Sequence, residues 1–228
     1  MAGPNFQGPV KIQTTDNKDR VTLKTVLKQG GNYLGVIEFF SGVDKRTILL
    51  AGDGSISLGG QGATGSLRLY NSGDTNTIYL NAQTGDILLS NADCAEEFEV
   101  STEPAWGIEP GTVMVINNDG KLNVSSKAYD NRVAGVISGA RGYKPGIVLD
   151  KKKSDHIRVP VAMMGKVYCK VDANYSSIQV GDMLTTSPTL GHAMRATNRS
   201  RAFGSVIGKA LDGLAAGKSL IPVLIALQ

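Results

Sequence analysis

Cys94, Cys169, His156 and His192 are the only thiols and imidazoles in this 228-residue sequence. Cys94 with either histidine would make a nucleophile and its base, because a thiol attacks only after a neighbour takes its proton. His156 follows Lys151-Lys152-Lys153 in what reads as a solvated loop, and His192 follows Gly191 in a turn-like setting. No Gly-x-Ser-x-Gly elbow stands near either. Cys94 therefore reads as a small, half-buried packing residue. Two cysteines form neither a disulfide framework nor a metal-ligand spacing. Ser90-Asn91-Ala92-Asp93-Cys94 sets a hydroxyl, a carboxamide, a carboxylate and a thiol within five residues. Self-cleavage would fall there, and an ordinary Asn/Asp turn is the plainer reading.

From Asn91 to Gly120 there is no Lys or Arg, while Asp93, Glu96, Glu97, Glu99, Glu103, Glu109 and Asp119 all occur. Carboxylates suit Ca²⁺, but the spacing is not that of an EF-hand, and Glu96-Glu97-Phe98 reads as a solvated strand edge. Gly59-Gly60-Gln61-Gly62 lacks the Gly-Lys-Ser/Thr of a phosphate loop. No catalytic residue, metal or cofactor is expected, and the chain reads as a non-enzyme. A sugar platform is thin: Trp106, after Pro104-Ala105, reads as packing, leaving Tyr129, Tyr143, Tyr168 and Tyr175.

The elements holding these residues read as short strands. There are 28 glycines against only 8 prolines, with no Gly-X-Y period, which excludes collagen and suggests many tight turns. Ile48-Leu49-Leu50, Ile56-Ser57-Leu58, Leu67-Arg68-Leu69, Ile78-Tyr79-Leu80 and Ile87-Leu88-Leu89 repeat one phrase, with Gly, Asn and Asp between. On a strand the outer two aliphatics share a face and the middle residue takes the other. About two aliphatics per phrase cannot offset the entropy of ordering some eleven residues, at about 1–2 kcal/mol each. Three chains around one axis, as an intertwined β-prism, would supply the missing apolar partners. A single-chain β-helix and an antiparallel meander are the competing geometries. Val21–Leu27 and Tyr33–Phe40 read as strands before the repeat, and residues 1–20 as a flexible or attachment terminus.

Residues 91–228 read as a second, compact β-barrel or β-clip domain with an internal duplication at an offset of 70. Ile108-Glu109-Pro110-Gly111 matches Ile178-Gln179-Val180-Gly181, and Val136-Ile137 matches Val206-Ile207. Val159-Pro160-Val161-Ala162 and Ile221-Pro222-Val223-Leu224 read as strands whose prolines imply an edge or a strand start. A short helix is expected around residues 209–216. The whole is all-β: an attachment terminus (1–20), a repetitive shaft (21–90) and a C-terminal domain (91–228).

Charge excludes one class of partner. Residues 1–90 carry 8 basic and 7 acidic side chains and residues 91–228 carry 16 and 13, so nucleic acid is not expected. No run approaches the roughly 20 apolar residues of a membrane helix, and Met1–Gly8 lack the features of a secretory signal.

Asp93-Cys94-Ala95-Glu96-Glu97-Phe98 resembles the Asp-Tyr-Ala-Glu-x-Phe phrase that opens a C-terminal domain of phage tail-fibre and appendage proteins. The likeness continues through Glu109-Pro110-Gly111, Tyr129-Asp130-Asn131-Arg132-Val133-Ala134-Gly135-Val136, Gly181-Asp182-Met183-Leu184-Thr185-Thr186-Ser187 and Gly191-His192-Ala193-Met194-Arg195-Ala196. It covers residues 91–228, with Cys94 replacing the aromatic of the opening phrase. The resemblance implies a homotrimeric fibre or spike of a virion tail or a phage-derived injection apparatus. Its N-terminus would bind a baseplate or another fibre protein, and its tip a cell-surface glycan. In some relatives the domain is an intramolecular chaperone that cleaves itself off, here near residue 91. A secreted bacterial adhesin would share the same features.

Overall fold

The structure is a computed structural model. It describes residues 10–13, 19–27, 33–40 and 46–51 as backbone, and residues 56–59, 64–101 and 108–227 in full. The chain divides into two units, Met1–Ser90 and Asn91–Gln228. It is all-β, with one four-residue helix among the described residues.

In the first unit, β1 (Val10–Gln13), β2 (Asp19–Leu27), β3 (Tyr33–Phe40), β4 (Arg46–Ala51) and β5 (Ile56–Leu58) form one sheet in sequence order. β6 (Ser66–Tyr70), β7 (Asn76–Asn81) and β8 (Asp86–Leu89) form another. All pairs are antiparallel. The five aliphatic phrases lie on β4 to β8. Local chemistry makes the reversals tight. The Asn71 side-chain oxygen accepts from the Gly73 and Thr75 amides (2.9 and 3.1 Å) around Asp74 at φ 54°. Asn81 accepts from the Gln83 amide at 3.0 Å ahead of Gly85 at φ 80°. Of the three geometries considered, the strand pairing is that of the meander. Consecutive strands join through hairpins, whereas a β-helix would stack parallel coils. β1 falls within residues 1–20, which the sequence reads as a flexible or attachment terminus.

The second unit contains β9 (Asp93–Glu99), β10 (Val113–Ile116), β11 (Leu122–Val124), β12 (Val133–Ile137), β13 (Pro145–Leu149), β14 (Arg158–Asp172), β15 (Met183–Thr186), β16 (Ala193–Arg195), β17 (Val206–Ala210) and β18 (Lys218–Ile225). The second half of β14 pairs with both β16 and β18, and β16–β15–β17–β18 completes a closed five-stranded barrel. The first half of β14 belongs to a matching ring with β12, β10, β11 and β9. The parallel bridge Val100–Leu122 closes that ring, as Val171–Ala193 closes the other. Gly165 marks the handover on β14, paired with Asp93 on one side and Ile225 on the other.

The two rings correspond residue by residue. Met114 and Leu184 precede equivalent bulges, opposite Gly135 and Gly208. Gly111 donates to the Ile137 carbonyl and Gly181 to that of Ala210, both at 2.8 Å. The buried cluster of the first ring is Val100, Met114, Leu122, Ala134, Ile137, Val159 and Val161. Each has its counterpart in the second: Val171, Leu184, Ala193, Ile207, Ala210, Ile221 and Val223. One sequence match needs correction. Gly135 and Gly208 face the bulges, so Val133-Ala134-Gly135 answers Val206-Ile207-Gly208, three residues out of step with the Val-Ile match. Glycine is required there: a Cβ on Gly208 would lie 2.1 Å from the Leu224 carbonyl oxygen.

Two further expectations are corrected. Pro160 and Pro222 sit inside strands flanked on both sides. Each carbonyl accepts from the residue just past the end of the neighbouring strand, Ser138 (2.8 Å) or Leu211 (2.9 Å). The absent proline N–H faces that strand end and costs no ladder bond. Residues 209–216 are not helical: Lys209 and Ala210 finish β17, and Leu214 exchanges two 2.9 Å bonds with Ile178. The helix, α1, is Arg199–Ala202, capped by the Asn198 side chain.

Candidate functional site

Cys94 lies on β9 opposite Ile147 and Met164. His156 is exposed and acts electrostatically on Glu99. Glu99 is five positions along the strand from Cys94, about 17 Å at the rise of a strand. His192 acts on Asp172, eight positions along β14 from Met164 and so about 26 Å away; its Nδ1 lies 2.7 Å from the Leu190 carbonyl. Neither histidine is brought to Cys94 within this chain. Cys169 is fully buried, and burial pushes its thiol up to about 12, which keeps it protonated. Among the described residues no group of three or more His, Cys, Asp or Glu is arranged to hold a metal ion.

The segment before β9 is a strand approach, not a free turn. The Ala92 amide donates to the Lys144 carbonyl (3.0 Å), and its own carbonyl accepts from Lys166 (3.2 Å). Asp93 is buried, with the Ser138 hydroxyl donating to Oδ2 at 2.7 Å and Oδ1 without a partner. Burial pushes its carboxyl above the usual aspartate range, with the Ser138 bond pulling the other way. This pair was not legible in sequence, since its members stand 45 residues apart.

Three carboxylates of the acidic stretch, Glu97, Glu99 and Glu109, meet cations. Arg158, with only 8% of its side chain exposed, faces Glu97 and Glu99 at 3.7 Å and Asp150 more closely, and also donates to the Glu97 carbonyl at 2.6 Å. Glu109 pairs with Lys170. Asp119 sits in a turn, its amide donating to the Asn117 side chain. Glu103 and Trp106 lie outside the described residues. Tyr129 accepts from the Thr197 and Asn198 amides under Arg201. Tyr175 meets Thr189, and Tyr143 and Tyr168 are in tilted contact at 4.9 Å.

Among the described side chains an aliphatic face of the β6–β8 sheet remains exposed. Register sets Leu67–Leu80–Ile87 in one row across β6, β7 and β8, and Leu69–Ile78–Leu89 in the next row on the same face. Leu67, Leu69, Ile78, Leu80 and Ile87 keep 36–68% of their surface exposed. The intervening row, Arg68–Tyr79–Leu88, takes the other face, with the Arg68 guanidinium 4.0 Å from the Tyr79 ring centre. The five-stranded sheet has the same arrangement by register. Val10–Leu23–Ile37–Leu50–Ile56 and Ile12–Val21–Phe39–Ile48–Leu58 form two rows, with Lys11–Thr22–Glu38–Leu49–Ser57 between them. Ile56 and Leu58 line, with Leu67, Leu80 and Ile87, an open apolar cleft of about 570 Å³. The exposed aliphatics of β6–β8 make an extended apolar patch, which marks an association surface.

No family model matches the chain, and no curated protein or solved structure is significantly similar to it.

Proposed function

We propose that this is a structural fibre or spike protein of a phage tail or related extracellular appendage, built as a homotrimer. The single observation carrying the reading is the pair of apolar rows, uninterrupted from β1 to β5 and again from β6 to β8. A sheet with one aliphatic and one mixed face needs a second apolar layer, and three identical sheets about an axis supply it for one another. In this arrangement each chain contributes a meander to one side of a prism-like shaft, with strand pairing inside chains and side-chain packing between them. The tandem barrels form the C-terminal domain, which helps register the three chains and presents a surface for attachment to a cell. Three identical binding surfaces convert weak contacts into firm attachment through avidity. The N-terminal residues join a baseplate or another fibre protein.

Sedimentation equilibrium tests the reading. A particle of three 24.0 kDa chains is expected, and a folded single molecule at working concentration would overturn it. Intact mass on the same sample separates this reading from autoprocessing, for which fragments split near residue 91 would speak.

A further inference from the structure

The equivalent walls of the two barrels have diverged in charge. In the first, Glu97 and Glu99 of β9 pair with Arg158, and Glu99 also with Lys121, while β13 pairs along the same strand. Register makes Tyr168 and Lys170 of β14 their counterparts in the second barrel, and no strand there corresponds to β13. That wall carries Lys166, Tyr168 and Lys170 on β14, with Leu220, Pro222 and Leu224 beside them on β18 and Lys209 on β17. Lys166, Leu224 and Lys209 form one exposed cross-strand row, its two ammonium-bearing positions about 10 Å apart at the spacing of strands. The 138–144 loop adds Arg141 over the Tyr168 ring (5.1 Å) and brings Tyr143 under Lys166 (5.5 Å). Among the described residues Arg141, Lys166 and Lys209 meet no carboxylate, whereas Lys170 is taken by Glu109.

Resting on the attachment reading above, we propose that this wall binds an anionic saccharide, a surface polysaccharide bearing carboxylate or phosphate groups. Unpaired cations bordering a low apolar strip attract such a chain and pair with its charges. Leu220 and Pro222 are half-buried and Leu224, the one exposed aliphatic of the strip, lies between Lys166 and Lys209, so the wall lacks the cluster of exposed apolar side chains that would enter a lipid layer. Each tyrosine is capped by a cation and in contact with the other ring, which leaves no free platform for stacking bases.

The experiment titrates the full chain at low ionic strength with polygalacturonate, with neutral dextran, phosphatidylglycerol vesicles and a short DNA duplex in parallel. Oligomeric state is read by sedimentation in the same samples. Polygalacturonate should bind and dextran should not. K166E/K209E should weaken binding by roughly tenfold or more while melting like the parent, since both side chains are exposed. K151E/K153E, which removes the same charge elsewhere, should bind nearly as the parent does. Absence of polygalacturonate binding, or an equal loss in both double variants, would overturn the site. Tighter binding of vesicles or DNA through the same lysines would overturn the saccharide assignment. Trimers without binding would sink only this proposal, and binding by single molecules would sink only the trimer.

Discussion

Replacing Leu69 by aspartate puts a carboxylate in the aliphatic face of the β6–β8 sheet, beside Ile78. Burying a leucine or isoleucine fully stabilises by about 1.5–3 kcal/mol. Leu67, Leu69, Ile78, Leu80 and Ile87 retain 36–68% exposure in the single chain, so covering them contributes about 1 kcal/mol apiece, or about 5 kcal/mol per chain. The aspartate forfeits its share and adds a desolvation penalty of several kcal/mol per ion. A threefold arrangement repeats that penalty three times and brings like charges together, for a total on the order of 10 kcal/mol per trimer. That is enough to turn nanomolar association into none at micromolar concentration. The assay is sedimentation velocity over a concentration series, with Arg68→Asp on the opposite face as the control. Leu69→Asp should give single chains or aggregates, and Arg68→Asp should assemble as the parent does. Recovery of Leu69→Asp trimers with unchanged dissociation would refute the packing argument.

Three further outcomes are expected. Because burial raises the Asp93 carboxyl, folding favours its protonated form; that contribution is full below the unfolded pKa and lost as pH rises through the folded one. Asp93→Asn, which keeps an acceptor for Ser138, should therefore melt higher than the parent at neutral pH and lose the advantage in acid; a lower melting temperature at neutral pH would contradict this. The Arg158 hydrogen bond holds the Asp150 carboxyl below its usual range, a contribution present above the unfolded pKa and lost as pH falls. Arg158→Met should lower the melting temperature by about 5 °C or more at neutral pH and move the Asp150 NMR titration upward, and an unmoved titration would count against the pairing. Gly208→Ala must displace the Leu224 carbonyl, whereas a Cβ at Gly181, at φ 90°, meets nothing within 4 Å. Denaturant titration should show a loss of about 3 kcal/mol for the first and about 1 kcal/mol for the second, and equal losses would refute the close approach.

What was legible in the sequence is what short-range physics decides. The five aliphatic phrases lie on strands, and Tyr33–Phe40 coincides with β3, because alternation and turn chemistry act over a few residues. The Ile-x-x-Gly matches mark true equivalents, since Gly111 and Gly181 both take positive φ, 93° and 90°. The strand match failed by three residues because a bulge and its facing glycine, not hydrophobicity, fix that register. β13 shortens the offset between the rings from 73 at Gly135/Gly208 to 62 at Val161/Val223, so no single offset reveals the duplication. Of the candidate interface, the β4–β8 rows were legible, but their continuation to Val10 and Ile12 needed the pairing of β1 with β2. The Arg158 cluster joins charges 59 to 61 positions apart on two strands, beyond any motif's reach.

The handover at Gly165 has an architectural consequence. Because Asp93 and Ile225 flank the same residue, the polypeptide enters and leaves the double barrel about 10 Å apart, two strand spacings. A module with neighbouring ends is a cassette: it can be spliced into an exposed loop of an unrelated host without prising that host open. It can equally be permuted, with a short bridge joining its two ends and new ones cut between β13 and β14. Evolution and the protein engineer would thus find it easy to move as a piece.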